Sequence, residues 1–257
     1  MKKLIAFDLD GTLAPSKSPM TDRMSEALAE LLGRFQVCVI SGGRLEQFHK
    51  QLLNSLRVEP DRLANLHLMP TCGTRYYTYD KATGDWQKVY AEDLTDAQKQ
   101  QISHALNKGI DDLGYREEKT FGECVEDRGS QVTFSILGQD IVDVLGLEGV
   151  AIKEAWDPDN RKKNELRDYI APLIPEFEVR VGGLTSIDVT QPGIDKAYGL
   201  KKLMEALDIK KEDILFLGDR IQEGGNDYPV KLMGVDCLEV SRWEDTVLAI
   251  EAIMHVL

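Results

Sequence analysis

The stretch IAFDLDGTLAPS, residues 5–16, decides how the rest of the chain is read. With Leu4 it forms an unbroken apolar run that ends on Asp8, and Asp10, Gly11 and Thr12 follow directly. A run so short and apolar throughout reads as a strand buried on both faces, the kind found in parallel sheets. In such sheets function gathers at the carboxyl ends of strands, where Asp8 and Asp10 stand. Two carboxylates so close repel, and a divalent cation offsets that repulsion; Mg²⁺ prefers hard oxygen ligands of this kind. One carboxylate can then attack phosphorus while the other trades protons with the leaving or entering oxygen. Gly11 permits a sharp turn, and Thr12 can hydrogen-bond a transferring phosphoryl group. An isolated Asp-x-Asp more often caps a turn; an apolar strand leading into DLDGT favours the chemistry.

Outward from this stretch the pattern continues as strand, helix, strand, helix. Met20, Met24, Ala27, Leu28, Leu31 and Leu32 fall at helical spacing, with Thr21 as N-cap and Gly33 as stop. QVCVI (36–40) is a second apolar strand ending in SGGR, and a second helix is expected near residues 45–56. This is the grammar of an α/β fold, a parallel sheet with crossover helices. The middle of the chain changes character. TRYYTYD and DWQKVYA flank a turn-like KATG and predict a hairpin. A polar helix is expected over 95–112, and ECVEDRGSQVTFSIL alternates around a glycine turn as antiparallel strands do. The charged helix NRKKNELRDYIAPLI and the strands FEVRV and TSIDV follow. KAYGLKKLMEAL and ILFLGD then restore the parallel pattern. The expected division is a discontinuous core, 1–80 and 190–257, with an α+β insert over 81–189.

Length and composition bound the possibilities. The chain has 257 residues, 42% of them hydrophobic and 29% charged, which is ordinary for a soluble globular protein. Its net charge of −13 argues against non-specific binding to nucleic acid or to anionic membranes. The four cysteines form no CxxC pair, so neither a zinc knuckle nor a disulfide framework is expected. Scattered thiols, an N-terminal apolar stretch too short for a signal peptide, and the lack of an apolar run of about 18 residues point to a cytoplasmic protein.

Three further stretches bear on the site. VISGGR puts Ser41 and Gly42 at the end of the second strand, where a hydroxyl and backbone amides can hold phosphate. GIDKAYGL puts Lys196 at a helix start, where its ammonium can neutralise phosphate charge. ILFLGDRIQEGGNDYPV ends a buried strand in Asp219, with Asn226 and Asp227 close behind, and oxygen donors on one loop at a strand end suit Mg²⁺.

In that order, DLDGT, Ser41, Lys196 and GD…GGND resemble the four motifs of the haloacid dehalogenase superfamily of phosphotransferases. The insert's position is similar to that superfamily's type IIB cap. RVGGLTSIDVTQPGIDKAYGL (180–200), FLGDRIQEGGNDYPV (216–230) and EDTV (244–247) resemble the eukaryotic-type phosphomannomutase branch more closely. The resemblance implies a Rossmann-like core with an inserted antiparallel cap. It implies Asp8 as nucleophile, Asp10 as general acid and base, and Lys196 as the charge that offsets them. It implies Mg²⁺ on Asp8, the Asp10 carbonyl, Asp219 and either Asn226 or Asp227. Arg180, Ser186 and Asp188 match the cap strand that meets a sugar phosphate, and Arg128 matches the first of the arginines that grip a distal phosphate. Phosphomannomutases often dimerise through their caps, so a homodimer of that kind is the assembly the resemblance suggests.

The departures from that branch favour hydrolysis over isomerisation. Two more cap arginines are expected; one falls on Gln139 and the other near Gly146, with no arginine close by. Charge-assisted bonds contribute roughly 1.5–3 kcal/mol each, so losing two weakens the hold on a second phosphate by about two to four decades. Arg161, Lys162 and Lys163 are the nearby cations that could substitute. The expectation is therefore a Mg²⁺-dependent phosphatase acting on a small phosphorylated metabolite, with a phosphohexomutase as the alternative. A non-catalytic sugar-phosphate sensor is disfavoured because Asp8, Asp10, Lys196 and Asp219 are all in place.

Overall fold

The structure, a computed structural model, describes residues 2–15 and 17–256. Its strands are β1 (Leu4–Phe7), β2 (Gln36–Ile40), β3 (Leu66–Met69), β4 (Arg75–Asp80), β5 (Asp85–Ala91), β6 (Val125–Asp127), β7 (Gln131–Ser135), β8 (Glu178–Val181), β9 (Ser186–Thr190), β10 (Ile214–Gly218) and β11 (Asp236–Glu239). The chain forms two compact units. One comprises the segment up to Ala91 together with that from Ile194 on, and the other is Glu92–Gly193.

The first unit is built on a seven-stranded sheet in the order β11-β10-β1-β2-β3-β4-β5. β11, β10, β1, β2 and β3 are parallel, and β4 and β5 add an antiparallel edge. Both faces are covered, which is why the central strands are apolar on both sides. Ile5 and Phe7 pack with Val37 and Val39 against Met24, Leu28 and Leu31 of the helix Asp22–Leu31 and Val247 and Ile250 of the helix Trp243–Val256. Leu4 and Ala6 pack on the other face, with Cys38, Ile40 and Phe216, against Leu200 and Leu203 of the helix Lys196–Leu207. The expected N-cap is present: the Thr21 hydroxyl accepts from the Met24 N–H at 3.3 Å.

Alternation along β1 positions the site. Leu4 and Ala6 face the helix Lys196–Leu207, so the next residue of that parity, Asp8, emerges on the same side. Register brings its neighbours level. Phe7 lies opposite Val39 on one side and Leu217 on the other. Asp8, Ser41 and Asp219 therefore leave the sheet at one edge, the carboxyl ends of three parallel strands.

The insert occupies Glu92–Gly193 where the sequence reading put it at 81–189, and the larger difference is at its start. The second hairpin strand, β5, which the sequence assigns to the insert, pairs with β4 and extends the core sheet, so the chain leaves the first unit after Ala91 instead of near residue 80. A hairpin's own pattern does not reveal which sheet its first strand joins; the β3–β4 ladder decides that here.

The second unit has a four-stranded antiparallel sheet, β6-β7-β9-β8. One face is apolar: Val132, Phe134, Val179, Ile187 and Val189 pack against Ile102, Leu106 and Ile110 of the helix Asp96–Asp112 and Leu166 and Ile170 of the helix Arg161–Ile170. Thr95 and Gln98 form a reciprocal capping box at the start of the first of these helices. The opposite face carries a row of directly paired polar residues, Glu126, Thr133, Asp188 and Arg180. Among the described residues no helix is long and apolar enough to cross a membrane.

Candidate active site

Lys196 is the first residue of its helix, which Asp195 caps by accepting from the Tyr198 N–H at 2.8 Å. Its side chain is 1% exposed and its Nζ lies 2.5 Å from Asp8 Oδ1 and 2.6 Å from Asp227 Oδ1. Both carboxylates are buried as well. Burial is the largest influence on Asp8 and raises its pKa to about 7; Lys196 opposes the rise, and the charges of Asp227 and Asp10 add to it. Burial also works against the Lys196 charge, but Asp8 and Asp227 together outweigh it and hold the ammonium's pKa above its ordinary value. The group as a whole has more negative charge than one ammonium balances.

Asp219, half-buried at the end of β10, adds a third carboxylate. Burial, then the Asp227 charge, raises its pKa. Oxygens of Asp8, Asp219 and Asp227 lie within 4.8 Å of one another. Of the two residues that the sequence left open, Asp227 joins this cluster, while Asn226 is exposed. Asp227 is held there from two sides, by Lys196 and by the Arg220 N–H at 3.1 Å. The donor set fits Mg²⁺: three carboxylates, an uncompensated charge and only hard oxygens.

Thr12 is fully buried, and its hydroxyl has no hydrogen-bond partner among the described residues. A buried hydroxyl left unpaired costs about 1–3 kcal/mol, and a ligand oxygen would satisfy it. Ser41 is buried and its Oγ accepts from the Gly43 N–H at 3.1 Å. The turn after β3 braces this loop: the Thr71 N–H donates to Gly43 and the Cys72 N–H to Ser41, both at 2.9 Å. Thr71 and Cys72 have left-handed backbone, φ 51° and 55°. The turn in turn lies flat on the lysine helix, where Gly73 meets Gly199 so closely that a Cβ on Gly73 would stand 2.3 Å from the Gly199 Cα.

Asp10 is held differently. Its Oδ2 accepts from Gln47 Nε2 at 2.7 Å, and its Oδ1 accepts from Gln51 Nε2 at 3.0 Å and from the Lys17 N–H at 2.7 Å. The sequence reading passed over both glutamines, because amides on a helix after SGGR look like a solvated face. Gln51 is in fact fully buried, and a buried amide is normally there to be hydrogen-bonded.

In the Glu92–Gly193 unit, both arginines singled out from the sequence are already ion-paired. Arg128 Nη2 lies 2.6 Å from Glu126 Oε2, and Arg180 Nη2 lies 2.6 Å from Glu178 Oε1. In each case the partner is two residues earlier in the chain. Asp188 accepts from the Thr133 hydroxyl at 2.7 Å, and the Ser186 carbonyl accepts from the Gly182 N–H at 2.8 Å. Gln139 donates to the Cys124 and Thr133 carbonyls at 3.3 and 3.5 Å. Of the three helix cations, Lys163 is buried and bonds the Gly183 carbonyl at 2.8 Å, Lys162 lies over the Trp156 ring at 4.5 Å, and Arg161 is exposed.

Known proteins resemble this chain in sequence and in fold. A phosphomannomutase of Triticum aestivum is 27% identical over 228 residues, covering 88% of this chain and 85% of its own. A probable phosphomannomutase of Caenorhabditis elegans is 23% identical over 229 residues, covering 89% and 86%. Among solved structures, the IMP-bound, N-terminally truncated IMP-nucleotidase of Plasmodium falciparum aligns with a TM-score of 0.67 at 19% identity, over 99% of this chain and 68% of that one. A haloacid dehalogenase-like hydrolase from Bacteroides thetaiotaomicron aligns with a TM-score of 0.65 at 17% identity, over 98% and 100%. At such identities these structures show a common fold. The family model described as haloacid dehalogenase-like hydrolase matches residues 5–229, from the first strand past the Asp219–Asp227 loop, and the chain belongs to that family.

Proposed function

We propose that the protein is a Mg²⁺-dependent phosphatase that transfers the phosphoryl group of a small phosphorylated metabolite, in the first instance a sugar phosphate, to water. The observation that carries this reading is the buried Lys196 ammonium between Asp8 and Asp227, with Asp219 in reach of both carboxylates. The Asp8 carboxylate attacks phosphorus. The bond to the leaving oxygen breaks, and Asp10 in its acid form protonates that oxygen. Water then attacks phosphorus of the aspartyl-phosphate while the Asp10 carboxylate takes its proton, which frees phosphate and restores both side chains. Lys196 balances charge at Asp8, and the Thr12 and Ser41 hydroxyls and the Gly42 amide hold phosphoryl oxygens. Asp8, Asp219 and Asp227 would hold the cation, with the Asp10 carbonyl; when bound, it neutralises phosphate charge and keeps Asp8 ionised.

The state of the other unit supports hydrolysis over isomerisation. Arg128, Arg180, Ser186 and Asp188 are the residues we assign to the rest of the substrate. Both guanidiniums already face glutamates, and Gln139, at a position where an arginine is expected of a mutase, is spent on backbone carbonyls. A second phosphate would have to compete with those carboxylates. Four free cysteines fit a reducing compartment such as the cytoplasm. The second reading, a phosphohexomutase, is favoured by the phosphomannomutase names of the curated relatives. A coupled assay separates the two: mannose 1-phosphate or glucose 1-phosphate is supplied with and without Mg²⁺, and free phosphate and sugar 6-phosphate are both measured. Metal-dependent phosphate release is expected. Sugar 6-phosphate appearing with no phosphate released would replace the first reading with the second.

A further inference from the structure

Where Asp8 and Asp227 share an ammonium, Asp10 is held by amides. Gln47 Nε2 is 2.7 Å from its Oδ2, and Gln51 Nε2 is 3.0 Å from its Oδ1. The two amides are linked, since Gln47 Nε2 also donates to Gln51 Oε1 at 2.5 Å. Gln51 is anchored in turn: its Nε2 is 3.2 Å from the Ser18 carbonyl, and its own backbone carbonyl accepts from the Met20 N–H at 2.7 Å. The Asp10 side chain is therefore fixed to a rigid chain of donors that begins in the protein interior.

Two local features exist to make this possible. The helix Leu45–Phe48 widens into a π-turn over His49–Leu53, and such turns redirect side chains and recur at functional sites. Gln47 and Gln51, four residues apart and so on one face of this helical segment, point at the same carboxylate. Gly43 provides the room: a Cβ there would stand 2.1 Å from Gln47 Oε1 and 2.6 Å from its Cδ. Any larger residue would push the amide off Asp10.

We propose that Gln47 and Gln51 are positioning residues that aim the Asp10 carboxyl at the leaving oxygen, so that how well the enzyme expels a poor leaving group is set by two amides from outside the acidic cluster. This rests on the reading of Asp10 as general acid given above. General acid catalysis contributes about 10²–10⁴-fold, but only where the leaving oxygen needs a proton. An alkoxide needs one; a nitrophenolate departs without. A loop-anchoring role alone would affect both kinds of ester alike.

The test compares kcat/KM, which reports the steps up to loss of the first product, for β-glycerophosphate and p-nitrophenyl phosphate. The variants are Gln47→Met and Gln51→Met, which keep side-chain length and remove the amide. Each is expected to lose about 10–100-fold on β-glycerophosphate and less than about 3-fold on p-nitrophenyl phosphate. Equal losses on the two esters, or no loss on either, would overturn the inference. Gln47 is only half-buried, so its variant carries the test should Gln51→Met not fold. Gly43→Ala, which displaces Gln47 without altering it, should reproduce the same unequal loss. Asp10→Asn is measured beside them. If it spares both esters, the assignment of Asp10 fails and the inference with it; if it shows the unequal loss and the glutamine variants do not, only the inference falls.

Discussion

Gly199 and Gly73 touch backbone to backbone, and a Cβ on Gly199 would stand 2.5 Å from the Cys72 carbonyl oxygen and 2.8 Å from the Gly73 Cα. Within a helix, alanine is favoured over glycine by up to about 1 kcal/mol. Here two of the three nearest atoms are backbone and cannot rotate away, the third being Ile40 Cδ1 at 2.6 Å, and overpacking typically costs about 1–3 kcal/mol. The clash wins. Gly199→Ala is expected to be net destabilising in urea unfolding. It also tilts the start of the helix, and a shift of about 1 Å in Lys196 relative to Asp8 would lower turnover about 100-fold. A Gly199→Ala protein as stable and active as the parent would show that the contact has slack.

Lys196→Met removes the cation between two buried carboxylates. Breaking a buried pair on one side costs about 3–5 kcal/mol. Adding Asp227→Asn to that variant removes one of the stranded charges and should return about 0.5–3 kcal/mol. Denaturant unfolding of the two single variants and the double gives the coupling. Strict additivity would contradict the ammonium bridge.

His67 is buried in β3, and its role follows from its partners. Gln36 Nε2 donates to Asn65, which leaves Gln36 Oε1 free to accept from His67 Nε2 at 2.7 Å. Nδ1 then accepts from the Tyr76 hydroxyl at 2.8 Å. The ring is neutral with its proton on Nε2, and burial lowers its pKa to about 4. The unfolded chain, with an ordinary value near 6.5, binds more protons than the native state between those limits. Stability is thus present above about pH 6.5 and is lost as pH falls toward 4. Between pH 7 and pH 5 this one residue should remove about 2 kcal/mol. Urea unfolding at the two pH values, with His67→Gln as reference, isolates the contribution; equal slopes would contradict it.

Releasing the cap arginines should change what the protein binds. With Glu126→Gln and Glu178→Gln together, two guanidiniums lose the carboxylates 2.6 Å away. Inhibition by a hexose 1,6-bisphosphate should tighten by at least about tenfold, since one charge-assisted bond is worth roughly 1.5–3 kcal/mol. An unchanged inhibition constant would mean that these arginines do not meet the distal phosphate.

How far the sequence could be read depended on whether a residue's neighbours are near it in the chain. Asp8 was legible because an apolar strand delivers it, and β1 matches that strand. The preference for Asp227 over Asn226 was not, because burial there is decided by how the 219–227 loop folds back onto Lys196. Gln47 and Gln51 were invisible for the same reason: their target is set by the parallel pairing of β1 with β2, which brings a helix from one strand beside a loop from the other. His67 carried no metal spacing, and its hydrogen-bonded string through Gln36 and Asn65 spans two strands and a turn. The hairpin strand β5 alternates as an edge strand of either unit would, so only its partner revealed its sheet.

The pairing of Leu4 with Ile214 ties together points about 210 residues apart. On the ribosome, at about 5–20 residues per second, β1 waits on the order of 10–40 s for the partner that closes its second edge. The Glu92–Gly193 unit, with an apolar core of its own, emerges whole in that interval. The acidic cluster therefore cannot assemble until the chain has been made past Asp227, and a nascent chain truncated before β10 would carry Asp8 on a strand with one open, aggregation-prone flank.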